Sequence, residues 1–465
     1  MINSSSDIRK SPKLKKSIFN VILFSASIAA IVVVLTYKKE TTGLKLVGTM
    51  ILVSSCFLVL YLFLLQFRNE VLQVLRKTFF ILIAIFVSLL LTKIITGLPG
   101  KNLIFLIPFA IIPVIIRTFY DARLALFILL ITIMLAGFLV SPPFEFVFMS
   151  FISGMVAIFT LTNIYRKAKL FFTAFMVFIS CTGLWLAINL MEFGRFPEDI
   201  SSGIMLFAGN GLLVLISYPL IFIFEQKFLF LSDATLLELA DTNQPLLRKL
   251  AEEAPGSFQH SLQVANIAEE AARVIGANLL LVRTGALYHD IGKIANPMYY
   301  IENLIDEVSP HDDLKPVESS RIIINHVKNG VILAKNYKLP IQIIDFIRTH
   351  HGTTVAYFFF KKFIDQNPAM MNRERDFAYP GPKPFTKETA VVMMADAVEA
   401  ASRSLGKYSE ESISDLVERI IYIQEQDGQF SDVPLTYKDI SDIKDVFRKR
   451  LSNIYHIRIA YPDRI

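Results

Sequence analysis

Cysteine is almost missing from this sequence: Cys56 and Cys181 are the only two in 465 residues, and both fall inside apolar runs. That excludes a disulfide framework and a thiolate metal site. Charge is scarce as well, at 19% of residues against about 25% in a typical soluble domain, while 53% are apolar. So apolar a chain is neither disordered nor an ordinary soluble globule. Histidine is absent from the first 224 residues, and no strand-like alternation, internal repeat or low-complexity tract runs anywhere in the chain. The scarcity of charge is uneven. Residues 1–224 hold 19 Lys and Arg against 8 Asp and Glu, which leaves 28 against 33 for 225–465. The first part is greasy and basic, and the second has the charge density of a soluble domain with a slight acidic excess.

Membrane-crossing helices need about 17–25 mostly apolar residues. Eight candidates run near 17–37, 43–67, 75–96, 103–117, 124–140, 143–161, 169–191 and 203–224; Pro108, Pro113, Pro142 and Pro143 blur the ends of the shorter ones. Arg9, Lys10, Lys13, Lys15 and Lys16 precede the first. They resemble the start of a signal peptide, but the apolar run continues without a small-residue cleavage site, which favours an anchor helix. With the N-terminus inside, the inner loops carry Arg68, Arg76, Lys77, Arg117, Arg123, Arg166, Lys167 and Lys169. The outer loop 192–202 is acidic, with Glu192, Glu198 and Asp199 against Arg195; Lys38 and Lys39 stand against the scheme and are outvoted. Eight spans then place the second half in the cytoplasm. Charged residues inside the spans are nearly absent, which argues against a transporter.

Beyond Glu225 the pattern is helix after helix. Short segments start at Ser232-Asp233 and at Asn243-Gln244-Pro245, and Pro255-Gly256 breaks the second. Helices follow at 257–275, 279–292, 316–336, 340–349, 387–404, 411–425 and 438–453, with 366–386 a proline-rich surface loop. Six of the seven histidines fall between 260 and 351, including the neighbours His289-Asp290 and His350-His351. Imidazole and carboxylate together suit a first-row divalent ion such as iron or manganese. Asp396 lies among Met393, Met394 and Ala395 on an amphipathic pattern, and a carboxylate buried there needs a partner or a metal.

In order, His260, His289-Asp290 and Asp396 resemble the H…HD…D signature of the HD superfamily of metal-dependent phosphohydrolases. The match is longer than four residues. SDATLLELADTNQPLLRKLAEEAPGSFQHS, GALYHDIGK, NHVKNGVILAKNYKLP, THHGTT, YPGPKP and MADAVEAASRSL follow one another across 230–465. Together they resemble the cytoplasmic domain of the seven-transmembrane HD-domain proteins, and FYDARLAL resembles a segment of that family's membrane region. The resemblance implies an all-α chain: a polytopic membrane helix bundle followed by a cytoplasmic all-helical HD domain that hydrolyses cyclic di-AMP. One departure stands out. The family carries an extracellular domain after its first helix, whereas only Lys38 to Thr42 separate the first two spans here. The expectation is that this sensor is absent and that spans two to eight form the seven-helix core.

The resemblance also implies the roles of the site residues. A mononuclear site needs only His260, His289, Asp290 and Asp396, so His326, His350 and His351 suit a second ion. One ion then sits on His260, His289 and Asp396, and the other on His326, His350 and His351, with Asp290 bridging and contributing to catalysis. Two divalent ions, iron or manganese, so placed can clamp a phosphodiester for in-line attack by water. Lys293 lies one helical turn beyond His289, where it either holds the substrate phosphate or is simply a charge at a helix end. His311, in SPHDD, is not expected to be a ligand, and His456 reads as structural or surface.

The acidic second half disfavours a nucleic-acid polymer as partner. Cyclic di-GMP hydrolases of the HD-GYP type carry a Gly-Tyr-Pro word after the paired histidines, but here HHGTTVAYFFF follows, and Tyr379-Pro380-Gly381 is later and differently ordered. The expected protein is a multi-pass phosphodiesterase of the bacterial inner membrane that opens cyclic di-AMP to linear 5′-pApA. Its expected partners are that substrate and the lipid bilayer, and a homo-oligomer is compatible with the sequence. The expected organisation is 1–42 for the N-terminus, anchor and outside loop, 43–224 for the seven-helix region, 225–258 for linker helices and 259–465 for the HD domain. The competing readings are a nucleotide sensor without turnover and a cyclic di-GMP phosphodiesterase.

Overall fold

The computed structural model describes residues 12–37, 42–100, 103–161, 167–304, 309–406 and 408–455. Of the residues singled out above, Arg9, Lys10, Lys38, Lys39, Arg166 and His456 lie outside these ranges, as do the side chains of Lys13, Lys15, Lys16 and Lys167. The expected all-α class is observed: among the described residues the sheet-like pairing is one isolated bridge, Val355 with Ala378. The chain divides into two units, Met1–Ala234 and Thr235–Ile465.

In the first unit six helices are long and apolar enough to cross a membrane: Ser17–Thr36, Gly43–Phe67, Leu75–Thr96, Pro143–Thr160, Ala168–Phe193 and Ile200–Phe228. Large apolar side chains such as Leu44, Phe144, Met191 and Met205 face outward. That is unfavourable in water and unremarkable in lipid. The fourth and fifth expected spans are shorter than the rest. The segment 103–119 is a 3₁₀ turn, Leu103–Leu106, followed by a separate helix, Ile111–Phe119. Pro108 lies between them and supplies no N–H to carry a helix through. The carbonyls freed at the break are not left bare, because Asn210 donates to Phe105 at 2.7 Å and to Ile107 at 3.1 Å. The fifth is Ala122–Gly137, capped by Asp121, which accepts from the Leu124 N–H. Asp121 also pairs with Arg68. Elsewhere glycines let helices nest: a Cβ on Gly203 would overlap the ring of Trp185, and one on Gly154 would overlap Leu129.

The second unit is built around helix Lys387–Ser402, which buries Ala390 to Asp396, Val398 and Glu399. Thr386 caps its start by accepting from the Thr389 N–H. Helix Pro255–Val274 lays a stripe of Ser257, His260, Ser261, Val264, Ala268, Ala271 and Ala272 into the interior at helical spacing. Pro255 opens this helix at its first position rather than merely ending the preceding one, since its fixed φ suits a first turn and its missing N–H costs nothing there. Helices Leu279–Tyr288, Pro316–Asn336, Ile341–Thr349, Glu410–Gln426 and Tyr437–Ile454 complete the unit. Helix Asp233–Leu239 is tied to this interior, since Thr284 and Tyr288 donate to the carbonyls of Leu236 and Leu239 at 3.1 and 3.0 Å. Two expectations are corrected. The helix expected over 279–292 ends at Tyr288, and Ile291–Ala295 continues as a 3₁₀ turn. The expected loop 366–386 contains the 3₁₀ segment Pro368–Phe377, preceded by a helix Tyr357–Gln366. Phe359, Phe360, Phe363 and Phe377 cluster in the interior and hold these two together.

Candidate metal centre

Five elements deliver the seven candidate ligands. His260 projects from the middle of Pro255–Val274, His326 from Pro316–Asn336 and Asp396 from Lys387–Ser402. His289 and His350 each occupy the C-terminal cap position of a helix, at Leu279–Tyr288 and Ile341–Thr349. The exit from the first of these helices matters to the geometry. Asp290 leaves helical backbone (φ −106°, ψ 12°), so His289 and Asp290 both turn inward, which consecutive residues of a continued helix could not do.

The side chains assemble into two groups whose ligand atoms lie within 4.8 Å of one another: His260, His289, Asp290 and Asp396 in one, and His326, His350 and His351 in the other. Asp290 stands between them. Its Oδ2 is 3.2 Å from His289 Nε2 and 3.6 Å from His260 Nε2. Its Oδ1 is 3.4 Å from His326 Nε2 and 3.7 Å from His350 Nε2. Asp396 Oδ1 lies 2.9 Å from His260 Nε2, and its Oδ2 lies 3.9 Å from His351 Nδ1.

The inner atoms are poorly satisfied without a cation. His289 Nε2 and Asp290 Oδ1 are buried with no hydrogen-bond partner. His326 Nε2 and His350 Nε2 face each other at 3.0 Å. The outer atoms, in contrast, are fully engaged. Nδ1 of His289, His326 and His350 donates to the carbonyl three residues earlier, on Ala286, Ile323 and Ile347, at 2.6, 2.5 and 2.9 Å. A carbonyl can only accept, so each ring carries its proton on Nδ1 and turns Nε2 toward the centre, the arrangement metal-binding histidines require. The donor set therefore fits divalent metal.

The charge balance agrees. Burial alone would raise Asp290, but Lys293 and His289 outweigh it and hold this carboxylate well below the usual range. Asp396, likewise opposed by burial, is held down by His260 and His289. Burial lowers His289, but Asp290 and Asp396 reverse that and carry it up to about 10, so the two carboxylates hold on Nε2 a second proton that a divalent ion would displace. Burial with little compensation keeps His326 low, His350 well below its ordinary value and His351 down at about 3. The second group is thus three neutral imidazoles, the form that binds metal.

Lys293 lies inside the site, donating to Glu302 Oε1 and pairing with Asp290 Oδ2, each at 2.7 Å. His311 lies outside both groups, with Nε2 donating to the Tyr299 carbonyl at 2.9 Å. Three participants were not singled out from the sequence. Glu399 accepts from His260 Nδ1 at 2.5 Å and is itself gripped by Arg403 at 2.7 Å. Glu302 anchors Lys293, and Tyr379 stacks on His351 with ring centroids 4.1 Å apart. The spacing of Asp396, Glu399 and Arg403 on one helix face was the available signal. A cavity of about 520 Å³ opens beside the cluster, lined by His260, Asp290, Lys293, His351 and Asp396 among others.

Two family models match the chain. Residues 44–232 match the 7TM receptor with intracellular HD hydrolase, and 257–401 match the HD domain. The cyclic-di-AMP phosphodiesterase PgpH of Listeria monocytogenes is 34% identical over 447 residues, covering 95% of this chain and 58% of the relative. PgpH of Bacillus subtilis is 33% identical over 452 residues, covering 92% and 62%. The chain thus spans about three fifths of the length of these curated relatives. A crystal structure of the L. monocytogenes PgpH HD domain in complex with cyclic-di-AMP shares 43% identity, covers 46% of this chain and 100% of that one, and has a TM-score of 0.45.

Proposed function

We propose that the chain, which matches the models of the 7TM receptor with intracellular HD hydrolase and of the HD domain, is a membrane-anchored phosphodiesterase that opens cyclic di-AMP to linear 5′-pApA. The observation that carries the proposal is Asp290, which turns one carboxylate oxygen to each histidine group. We take these groups to hold two divalent ions, iron or manganese: His260, His289 and Asp396 on one side, His326, His350 and His351 on the other, with Asp290 shared. Bound there, such ions lower the pKa of water and neutralise phosphodiester charge. The chain's own residues do the rest. Nδ1–carbonyl bonds hold three imidazoles in one tautomer, Glu399 with Arg403 orients His260, and Lys293 offers its ammonium to the substrate phosphate while it neutralises Asp290. Water adds to phosphorus, the P–O3′ bond breaks, and the 3′ oxygen leaves with a proton.

The proposed substrate rests on the relatives and on the missing Gly-Tyr-Pro word after His350-His351. Turnover, rather than sensing alone, is favoured by a ligand set with no member missing. The basic inner loops support a cytoplasmic position for 259–465. The test is direct. The full-length chain, purified in detergent with Mn²⁺ or Fe²⁺, is given cyclic di-AMP and cyclic di-GMP separately, and products are resolved by chromatography. Faster opening of cyclic di-AMP is expected. Equal or faster opening of cyclic di-GMP overturns the substrate, and binding without product overturns the enzyme in favour of a sensor.

A further inference from the structure

Four of the five histidines in the two ligand groups are steadied by a hydrogen bond at Nδ1. His289, His326 and His350 donate to main-chain carbonyls, and His260 donates to Glu399. His351 differs. Asp396 Oδ2 stands 3.9 Å from its Nδ1, beyond hydrogen-bonding range, and among the described residues no other polar group bonds the ring. It is also the most open of the seven ligand candidates, with 28% of its side chain exposed against 8% or less for the others. An imidazole so placed needs something else to fix its plane, because the torsion that turns a ring is a soft one.

The neighbour that lies nearly flat on it is Tyr379. The two ring centroids are 4.1 Å apart and the planes only 25° from parallel, whereas His350 and His326 meet the same ring at 48° and 87°. The stack is built by the main chain on both sides. Thr354 folds back on His351, its N–H and its hydroxyl donating to the His351 carbonyl at 3.1 and 2.7 Å. The isolated bridge of Val355 with Ala378 then ties in the segment that carries the tyrosine. Ala356 N–H donates to the Phe377 carbonyl at 2.9 Å, and Tyr379 N–H donates to the Thr354 carbonyl at 2.8 Å. Tyr379 is thus fastened, through its own backbone, to the turn that follows His351.

We infer that Tyr379 is a positioning residue for the second ligand group: its ring sets the plane of His351 and keeps that imidazole aligned with His326 and His350. Stacking does for His351 what carbonyls do for its neighbours, since turning the imidazole out of the stack forfeits the contact between the two faces. The inference rests on the proposed two-ion site and adds the residue on which its most open ligand depends.

The experiment titrates the full-length, metal-free protein in detergent with Mn²⁺ and follows the paramagnetic resonance spectrum, in which two neighbouring ions couple and a lone ion gives six lines. Tyr379→Leu removes the ring face, and Tyr379→Phe keeps it without the hydroxyl. The second ion is expected to bind roughly tenfold more weakly in Tyr379→Leu, so that six lines replace the coupled signal, while Tyr379→Phe matches the wild type and the first ion is unchanged in both. In a His351→Ala background, adding Tyr379→Leu is expected to change nothing further, because the ring it positions is gone. An unchanged second ion in Tyr379→Leu overturns the inference. So does equal weakening in Tyr379→Phe, which would assign the effect to the hydroxyl, or a further loss in the His351→Ala background, which would make Tyr379 a packing residue. The two readings fail separately: a wild type that takes up one ion refutes the two-ion site, and a wild type with two ions that Tyr379→Leu leaves in place refutes the positioning alone.

Discussion

Asp290 approaches two imidazoles in each group, whereas Asp396 meets the second group only through His351 at 3.9 Å, so the loss of Asp290 is unlike the loss of any single histidine. Asp290→Ala removes a negative ligand from both sites and leaves Lys293 facing Glu302 alone. His326→Ala removes one of three imidazoles from one site. Elemental analysis is therefore expected to find metal falling toward one ion per chain in His326→Ala and further in Asp290→Ala, with turnover collapsing in both. Two ions and full activity in His326→Ala would leave only the simpler four-ligand site. The seven ligand candidates were legible in the sequence because imidazoles and carboxylates recur there in a recognisable order. Glu399 was not, because a glutamate four residues before an arginine on a helix looks like an ordinary surface ion pair. Its burial against His260 depends on a helix distant in sequence.

At the level of elements, two places where a helix does not continue can be tested, one at the site and one in the apolar unit. The first is the turn after Tyr288, where Gly292 packs against the main chain of helix Pro316–Asn336: a Cβ there would overlap the His326 carbonyl and the Gly330 nitrogen. Gly292→Ala must separate the element bearing Asp290 from the one bearing His326. Metal titration is expected to show at least a tenfold weaker site, and thermal melting a loss of about 1–3 kcal/mol. The second is the break at Pro108, whose freed carbonyls are held by Asn210. Asn210→Leu leaves the Phe105 carbonyl without its donor in an apolar unit, while Ile107 keeps the Phe109 N–H, so a lower melting temperature in detergent is expected, with a cost of about 1–3 kcal/mol. An unchanged melting curve would show that the break satisfies itself. Periodicity revealed where helices lie but could not reveal that 279–292 stops short. Nothing in the local pattern opposes continuation; the close approach of a second backbone does. The helix Tyr357–Gln366 escaped notice because a run of three phenylalanines next to proline-rich text carries no clear period.

For the whole molecule, the division into an apolar and a more highly charged half followed from composition alone, and the boundary between the units, after Ala234, falls near the change in charge density. Span number was less legible, since length and hydropathy say little about a segment that a proline interrupts. The distribution of Lys and Arg makes its own prediction: reporter fusions are expected to place residues 196–202 outside and the C-terminal part inside, and a cytoplasmic signal at 196–202 would reverse the orientation. One further consequence comes from the nesting of Trp185 against Gly203. The chain has a single tryptophan, lodged where helix Ala168–Phe193 meets the helix that begins at Ile200, with the Phe207 ring centroid 5.9 Å away. The molecule therefore carries a built-in optical probe. Red-edge excitation selects one indole in the apolar unit and none in the unit that holds the histidine cluster. If nucleotide added to the metal-loaded protein shifts that emission, the bundle registers binding at the histidine cluster; if the spectrum stays fixed, the bundle does not respond to it.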